Sequence, residues 1–270
     1  MRSNSYAYAM KPSWQRFLHA SLAAEHAVQL YADETELVEP VGAYLAAGFD
    51  LSEPAIVITT PEHRALFAER LAACGWEEAE LLERGLLVPR DADETLEAVL
   101  LGGKSSPERF EQVVGTLIDE VAARFPGRQV RAFGEMVDIL CARGDPQSAA
   151  ELEDLWNRLA ERRRFSLLCA YRIDLFDADA QLTLLPQICG AHTHVQPGGD
   201  VPRLGRAVGA ALEEELGPDA ASVYAQMPAS IGRSTLLPAA ERALMWVSAN
   251  LPGRADRILA SARARYATVD

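Results

Sequence analysis

The chain has 270 residues, 49% hydrophobic and 24% charged, enough to bury one large α/β core with a small appendage, or two modest domains. A formal net charge of −13 and a pI near 4.9 argue against nonspecific binding to nucleic acid or anionic membrane, because both would repel such a surface. The balance is uneven, since residues 231–270 carry six arginines against Glu241, Asp256 and Asp270.

The opening stretch "MRSNSYAYAMKPSWQRFLHA" has neither a long apolar core nor a clear cleavage site, and residues 1–23 read as a helical extension. Nowhere is there an apolar run long enough to cross a bilayer, so a soluble cytoplasmic protein is expected. "HAVQLYADETELVEPVGAYLAAGFD" reads as a strand beginning at His26, then a helix from an acidic start near Asp33 to Gly48. In "EPAIVITTPEHRALFAERLAACGW", Ala55–Thr59 is a β-branched strand, Thr60 can cap, and Pro61 fits the first helical position. Leu66, Phe67, Arg70, Leu71 and Cys74 then recur at helical spacing until Gly75.

A short strand over 85–89 follows, then helices from about Asp93 and from Pro107 to Phe125. "RQVRAFGEM" is the next strand. Asp145 and Pro146 start a helix whose Leu152, Leu155, Trp156 and Leu159 form one apolar stripe, and "RFSLLCAYRIDLF" is a further strand. Strands alternating with helices of this length imply a mainly parallel sheet with helices on both faces. "HVQPGGDVP" reads as a linker, and the segments beyond it as a small C-terminal helical extension over 197–270.

Several familiar sites are absent or unconvincing. The single Gly-Lys-Ser, Gly103–Ser105, has Ala98 where a phosphate-binding loop needs its first glycine, and follows a helix-like run, so it reads as an interhelical turn. "TTPEHR" has no glycine to wrap a phosphate, although a single anion could sit at the helix start beside Thr60 and His63. No nucleotide is therefore expected. No serine stands in a nucleophile elbow. The four cysteines lack CxxC spacing and suit reduced thiols.

"CGAHTHV" sets Cys189, His192 and His194 at C-x2-H-x-H spacing, which suits a transition metal, with both rings on one strand face, or else a structural or solvated pair. In Gly134-Glu135-Met136, Glu135 stands at the carboxyl end of a strand, where open α/β sheets hold ligands, and Gly134 would permit a tight or positive-φ turn. Equally, Glu135 fits as a helix N-terminal glutamate paired with Arg131 or Arg143. Alternation puts Cys169 and Tyr171 on one face of their strand; a buried cysteine is more often a small hydrophobe, and His26 at a strand start is more often structural.

Taken together, "HAVQLYADETELVEPVGAYLAAGFDLSEPAIVITTPEHR", "RQVRAFGEMVDILCARGD", "AAELEDLWNRLAERRRFSLLCAYRIDLF" and "ICGAHTHV" resemble the MEDS sensory domain, named for methanogen and methylotroph regulators of the DcmR type. The resemblance covers roughly residues 24–196. It implies a RecA/KaiC-like α/β fold without a phosphate-binding loop, and a sensor of simple hydrocarbon derivatives. It picks out His26 in the block that ends at Tyr31, Glu135, Cys169, Tyr171 and His192; with Arg131 of the same strand as Glu135, the ligand-site candidates are His26, Tyr31, Arg131, Glu135, Cys169 and Tyr171.

The expected function is a noncatalytic sensory module that binds a small organic ligand, directly or through a metal. The C-terminal helices would relay its state to a signalling partner or to a second copy. One alternative is a residual ATPase or a metal-dependent hydrolase using Cys189, His192 and His194. Another is a transcription regulator that places the basic tail on DNA. In the tail, Leu244 and Trp246 are expected to pack inward and Arg254, Arg257, Arg263 and Arg265 to stay solvated.

Overall fold

The computed structural model describes residues 12–227 and 236–268. Of the expected N-terminal extension, residues 1–11 lie outside the described residues, while Pro12–Ala20 forms helix α1. The chain divides into two compact units, an α/β unit of Lys11–Arg172 with Ala191–His194 and a helical unit of Ile173–Gly190 with Val195–Asp270.

In chain order the α/β unit runs β1 (His26–Tyr31), α2 (Glu34–Asp50), β2 (Ala55–Thr59), α3 (Pro61–Ala73), α4 (Glu78–Glu83), β3 (Leu87–Asp91) and α5 (Ala92–Val99). There follow β4 (Leu100–Leu101), β5 (Lys104–Ser105), α6 (Pro107–Phe110), α7 (Thr116–Arg124), β6 (Val130–Gly134), α8 (Met136–Ala142), α9 (Pro146–Ala160) and β7 (Phe165–Arg172). A π-helical stretch, Glu111–Gly115, joins α6 to α7. With β8 (His194–Gln196) the main sheet has the order β3-β2-β6-β7-β1-β8. The pairs β2–β3, β2–β6, β6–β7 and β1–β7 are all parallel. This is the expected RecA/KaiC-like sheet.

The local signals act as their chemistry requires. Asp33 accepts from the amides of Thr35 and Glu36 to cap α2, Thr60 caps α3 ahead of Pro61, and Asp145 caps α9 ahead of Pro146. Residues of β1, β2, β6 and β7 are buried almost throughout, as strands covered on both faces must be. On one face Arg131 and Ser166 meet Tyr44 of α2, and Phe133 meets Phe67 of α3 edge-on at 5.2 Å. On the other, α9 lays its buried stripe of Leu152, Leu155, Trp156 and Leu159 on the sheet.

One local expectation is refined and another changes. Gly103–Ser105 lies between helices α5 and α6 as expected, but as part of a small hairpin. Helix α5 stops at Val99, and Leu100–Leu101 pairs antiparallel with Lys104–Ser105 around Gly102 and Gly103, both at positive φ. Gly134 adopts no positive-φ turn: it ends β6 in register with Cys169, and a Cβ there would meet only Trp156, at 3.8 Å. No described βα junction wraps a phosphate. Only Ala32 and Asp33 separate β1 from α2, and only Thr60 separates β2 from α3.

The helical unit contains α10 (Leu185–Ala191, its last residue counted with the α/β unit), α11 (Val201–Leu216), α12 (Ala220–Gln226), α13 (Ala239–Asn250) and α14 (Pro252–Ala267). Its own core includes Leu204, Val208, Leu212, Leu244, Trp246 and Ile258. Leu244 and Trp246 thus pack inward as expected. The tail arginines are exposed, and they are paired: Arg254 with the Glu215 carbonyl, Arg257 with Glu215, Arg263 with Asp174 and Arg265 with Glu214. Among the described residues no helix is long and apolar enough to cross a membrane.

Candidate functional site

The α/β unit holds two buried polar clusters, and the six ligand-site candidates divide between them and a third location. The first cluster lies at the carboxyl ends of β2 and β6. Glu135, 1% exposed, occupies the N-cap position of α8 and turns its carboxylate toward the start of α3. Its Oε1 accepts from the Thr59 hydroxyl at 2.8 Å and from the Thr60 amide, and its Oε2 lies 2.6 Å from His63 Nδ1. The anion that sequence alone places beside Thr60 and His63 is therefore an internal one. Neither expected arginine is its partner, because Arg131 pairs with Glu53, and Arg143 with Asp93 and Glu97.

From His63 the network runs outward. Its Nε2 lies 2.8 Å from Glu34, and the other oxygen of Glu34 accepts from Arg172. The Glu135 hydrogen bond, followed by the charges of Glu135 and Glu34, raises the His63 pKa against the opposing effect of burial. Tyr31 joins this end of the sheet. Its hydroxyl donates to Asp138 at 2.8 Å, its ring lies under the Arg172 guanidinium, and the other Asp138 oxygen accepts from the Arg172 amide at 2.7 Å. Burial raises the Asp138 pKa despite those two donors.

The second cluster lies between the sheet and α9. His26 opens β1, and in register with β7 its side chain shares a face with those of Cys169 and Tyr171. Glu153, 1% exposed, and Asn157 stand one turn apart on α9, and His192 approaches just before β8. His26 Nε2 is 3.2 Å from Cys169 Sγ and 3.2 Å from Glu153 Oε2. His192 Nε2 is 3.3 Å from Glu153 Oε1, and Cys169 Sγ is 3.7 Å from Glu153 Oε2. Tyr171 donates to Glu153 Oε1 at 2.7 Å.

The state of His26 follows from its neighbour. Asn157 donates its Nδ2 to the Ala191 carbonyl at 3.1 Å, so its Oδ1, 2.9 Å from His26 Nδ1, is an acceptor. Nδ1 therefore carries the proton, and a neutral His26 points the lone pair of Nε2 into the cluster. Burial, then the charge of His192, lowers the His26 pKa. Burial pushes Glu153 upward, and His192 and His26 in their protonated forms pull it well below its ordinary value, so a neutral His26 withdraws part of that support. Burial, reinforced by Glu153, drives the Cys169 thiol and the Tyr171 phenol well up.

Arg131 lies near the other end of β6 from Glu135. Fully buried, it donates to Glu53 at 2.7 Å, to the Leu18 and Tyr44 carbonyls at 2.8 and 2.7 Å, and to His19. In that position it clamps α1 and α2 to the sheet.

Nor does the expected metal triad share one environment. His192 belongs to the second cluster, whereas His194 faces Glu25 at 3.2 Å beside Arg16 and Phe17. The two rings do not share a strand face because β8 begins only at His194. Cys189, its thiol pushed up to about 11 by burial, is counted with the helical unit.

Sequence reasoning missed Glu153, Asn157, Asp138 and, as the partner of Glu135, His63. A surface concavity lined by residues that include Leu87, Val88, Arg90, Glu120 and Arg124 shares no residue with either cluster.

A search of curated proteins finds no match. Residues 25–188 match the model of the MEDS family, the methanogen/methylotroph, DcmR sensory domain. That span is more than half of the chain and takes in both clusters except His192, which lies just beyond its end. The chain belongs to the MEDS family of sensory domains.

Proposed function

We propose that the chain is a noncatalytic sensory module that takes up a small polar organic compound at the Glu135 corner. A partner protein would read its occupancy through the C-terminal helices. The observation that carries this reading is the placement of Glu135: a buried carboxylate at the carboxyl end of parallel strands, held by three exchangeable donors rather than by a fixed cation. Ligands of open α/β sheets gather at that end. A compound bearing a hydroxyl, amine or amide donor can take the place of Thr59 or His63 on the carboxylate, and the outer Glu34–Arg172 pair is exposed enough to open. Tyr31, over Arg172, would wall one side.

Signalling requires the compound to favour one arrangement of the chain over another. Exchange of a donor at Glu135 supplies such a preference, because this one carboxylate ties the start of α3 to the start of α8. The helical unit has a core of its own and can respond as a body.

The test is a thermal-shift screen of short-chain alcohols, aldehydes, amines, amides and carboxylates against the full chain and its Glu135→Gln variant. A compound that raises the wild-type Tm and leaves the variant unmoved supports the reading. Equal shifts in both proteins would remove Glu135 from the mechanism.

A further inference from the structure

We propose that His26, Glu153, Cys169 and His192 bind one divalent first-row transition ion of the zinc class. Each offers one ligand atom, all four are buried, and these atoms lie within 4.8 Å of one another. The set unites one thiolate, one carboxylate and two imidazoles, the donors that zinc and its neighbours select, whereas magnesium and calcium take oxygen shells.

The spacing fits an ion at the centre. Bonds of about 2.0–2.1 Å to nitrogen or oxygen and about 2.3 Å to sulfur give tetrahedral edges of about 3.3 Å between N or O ligands, and about 3.6 Å from sulfur to either. Around Glu153 Oε2 the contacts are 3.2 Å to His26, 3.7 Å to Cys169 and 3.2 Å between His26 and Cys169, while His192 lies 3.3 Å from the other oxygen, Oε1; with all four ligand atoms within 4.8 Å of one another, a small rotation of the carboxylate or of His192 completes the set.

Proton placement and charge point the same way. With the Asn157 amide tied to Ala191, His26 carries its proton on Nδ1 and aims the Nε2 lone pair at a carboxylate oxygen. The single thiol proton of Cys169 can relieve one of the acceptor-to-acceptor approaches around it, and a cation at the centre relieves them together. On binding, Cys169 would release that proton to solvent, leaving thiolate and carboxylate to balance a divalent ion with two neutral imidazoles. A buried site of zero net charge avoids the cost of an unpaired charge.

The outer shell is also in place. Asn157 orients His26, and Tyr171 donates to Glu153, the supports that metal-ligating imidazoles and carboxylates commonly have. Four protein ligands make this a closed centre, so its expected role is to hold α9 and the Ala191–His194 segment against the sheet rather than to activate water. The inference is independent of ligand binding at Glu135.

The test uses the purified full chain, stripped with chelator and titrated with Zn2+ and Co2+. The expected results are one tightly held ion per chain and, with Co2+, tetrahedral visible bands plus a near-ultraviolet thiolate-to-cobalt band. Cys169→Ser should lose the near-ultraviolet band and Glu153→Gln should weaken binding at least tenfold, while Cys189→Ser and His194→Ala keep one ion and the full spectrum. A folded wild-type chain that binds no ion, or shows no thiolate-to-cobalt band, would overturn the proposal without recourse to any variant. So would loss of the band in Cys189→Ser with its retention in Cys169→Ser.

Discussion

Asn157 holds His26 from behind: its Oδ1 accepts the Nδ1 proton at 2.9 Å while its own Nδ2 donates to the Ala191 carbonyl at 3.1 Å. Of the proposed metal ligands, the one its amide hydrogen-bonds is the imidazole of His26. Asn157→Leu should therefore weaken zinc binding by about 10–100-fold, read by competition with a chromophoric chelator. An unchanged affinity would mean that the amide does not orient the ring.

Glu135 and His63 predict a pH dependence. Glu135 and Glu34 face the imidazole from the α8 and α2 starts, Tyr31 and Phe67 flank it, and its folded-state pKa is raised above the ordinary 6.5. A raised histidine stabilises fully below its unfolded pKa and loses that contribution as pH rises through the folded one. The Tm advantage of wild type over His63→Gln should be largest near pH 5.5–6 and shrink at higher pH, by scanning calorimetry. Glu135→Gln should lower the His63 pKa, measured by NMR titration of the ring.

Much of this architecture was legible in the sequence, and the reason is local. Thr60-Pro61, Asp33 and Asp145-Pro146 mark helix starts through short-range hydrogen bonds, and the Leu152–Trp156–Leu159 stripe declares a buried face through periodicity alone. The sites were less legible because their partners are distant in the chain. Glu135 meets His63 from 72 positions away, and His26 meets Cys169 from 143. A usable signal was present for Glu153, which falls within the apolar arc of α9 beside Leu152 and Trp156, where an unpaired glutamate would be costly. Reading charged helix residues as solvated hides it. His192 and His194 mislead for the opposite reason, since alternation applies only inside a strand and β8 starts at His194, leaving His192 outside it.

Arg131 and Gly48 give a stability prediction. A Cβ on Gly48 would come within 2.5 Å of Arg131 Cδ and 2.7 Å of its Nε, and the guanidinium is pinned by Glu53 and by the Leu18 and Tyr44 carbonyls. The arginine cannot yield without breaking buried hydrogen bonds. Gly48→Ala should destabilise by about 1–3 kcal/mol in urea denaturation. A loss within error would show that the clamp has slack.

The C-terminal arginines should not confer DNA binding. Arg257 and Arg265 are engaged by Glu215 and Glu214, and Arg263 by Asp174, in a chain of net charge −13. Fluorescence anisotropy with a labelled duplex at low salt should give no saturable binding. Salt-dependent binding that disappears on truncation after Leu204 would restore the regulator reading.

Hydrogen exchange of the full chain, with and without the best binder from the small-molecule screen, tests the sensory site most directly. The Thr60 amide donates to Glu135, so the account predicts altered exchange in residues 59–64 and 134–139 together, accompanied by a change in α11–α14. Protection confined to other segments, with both of those peptides unmoved, would contradict it.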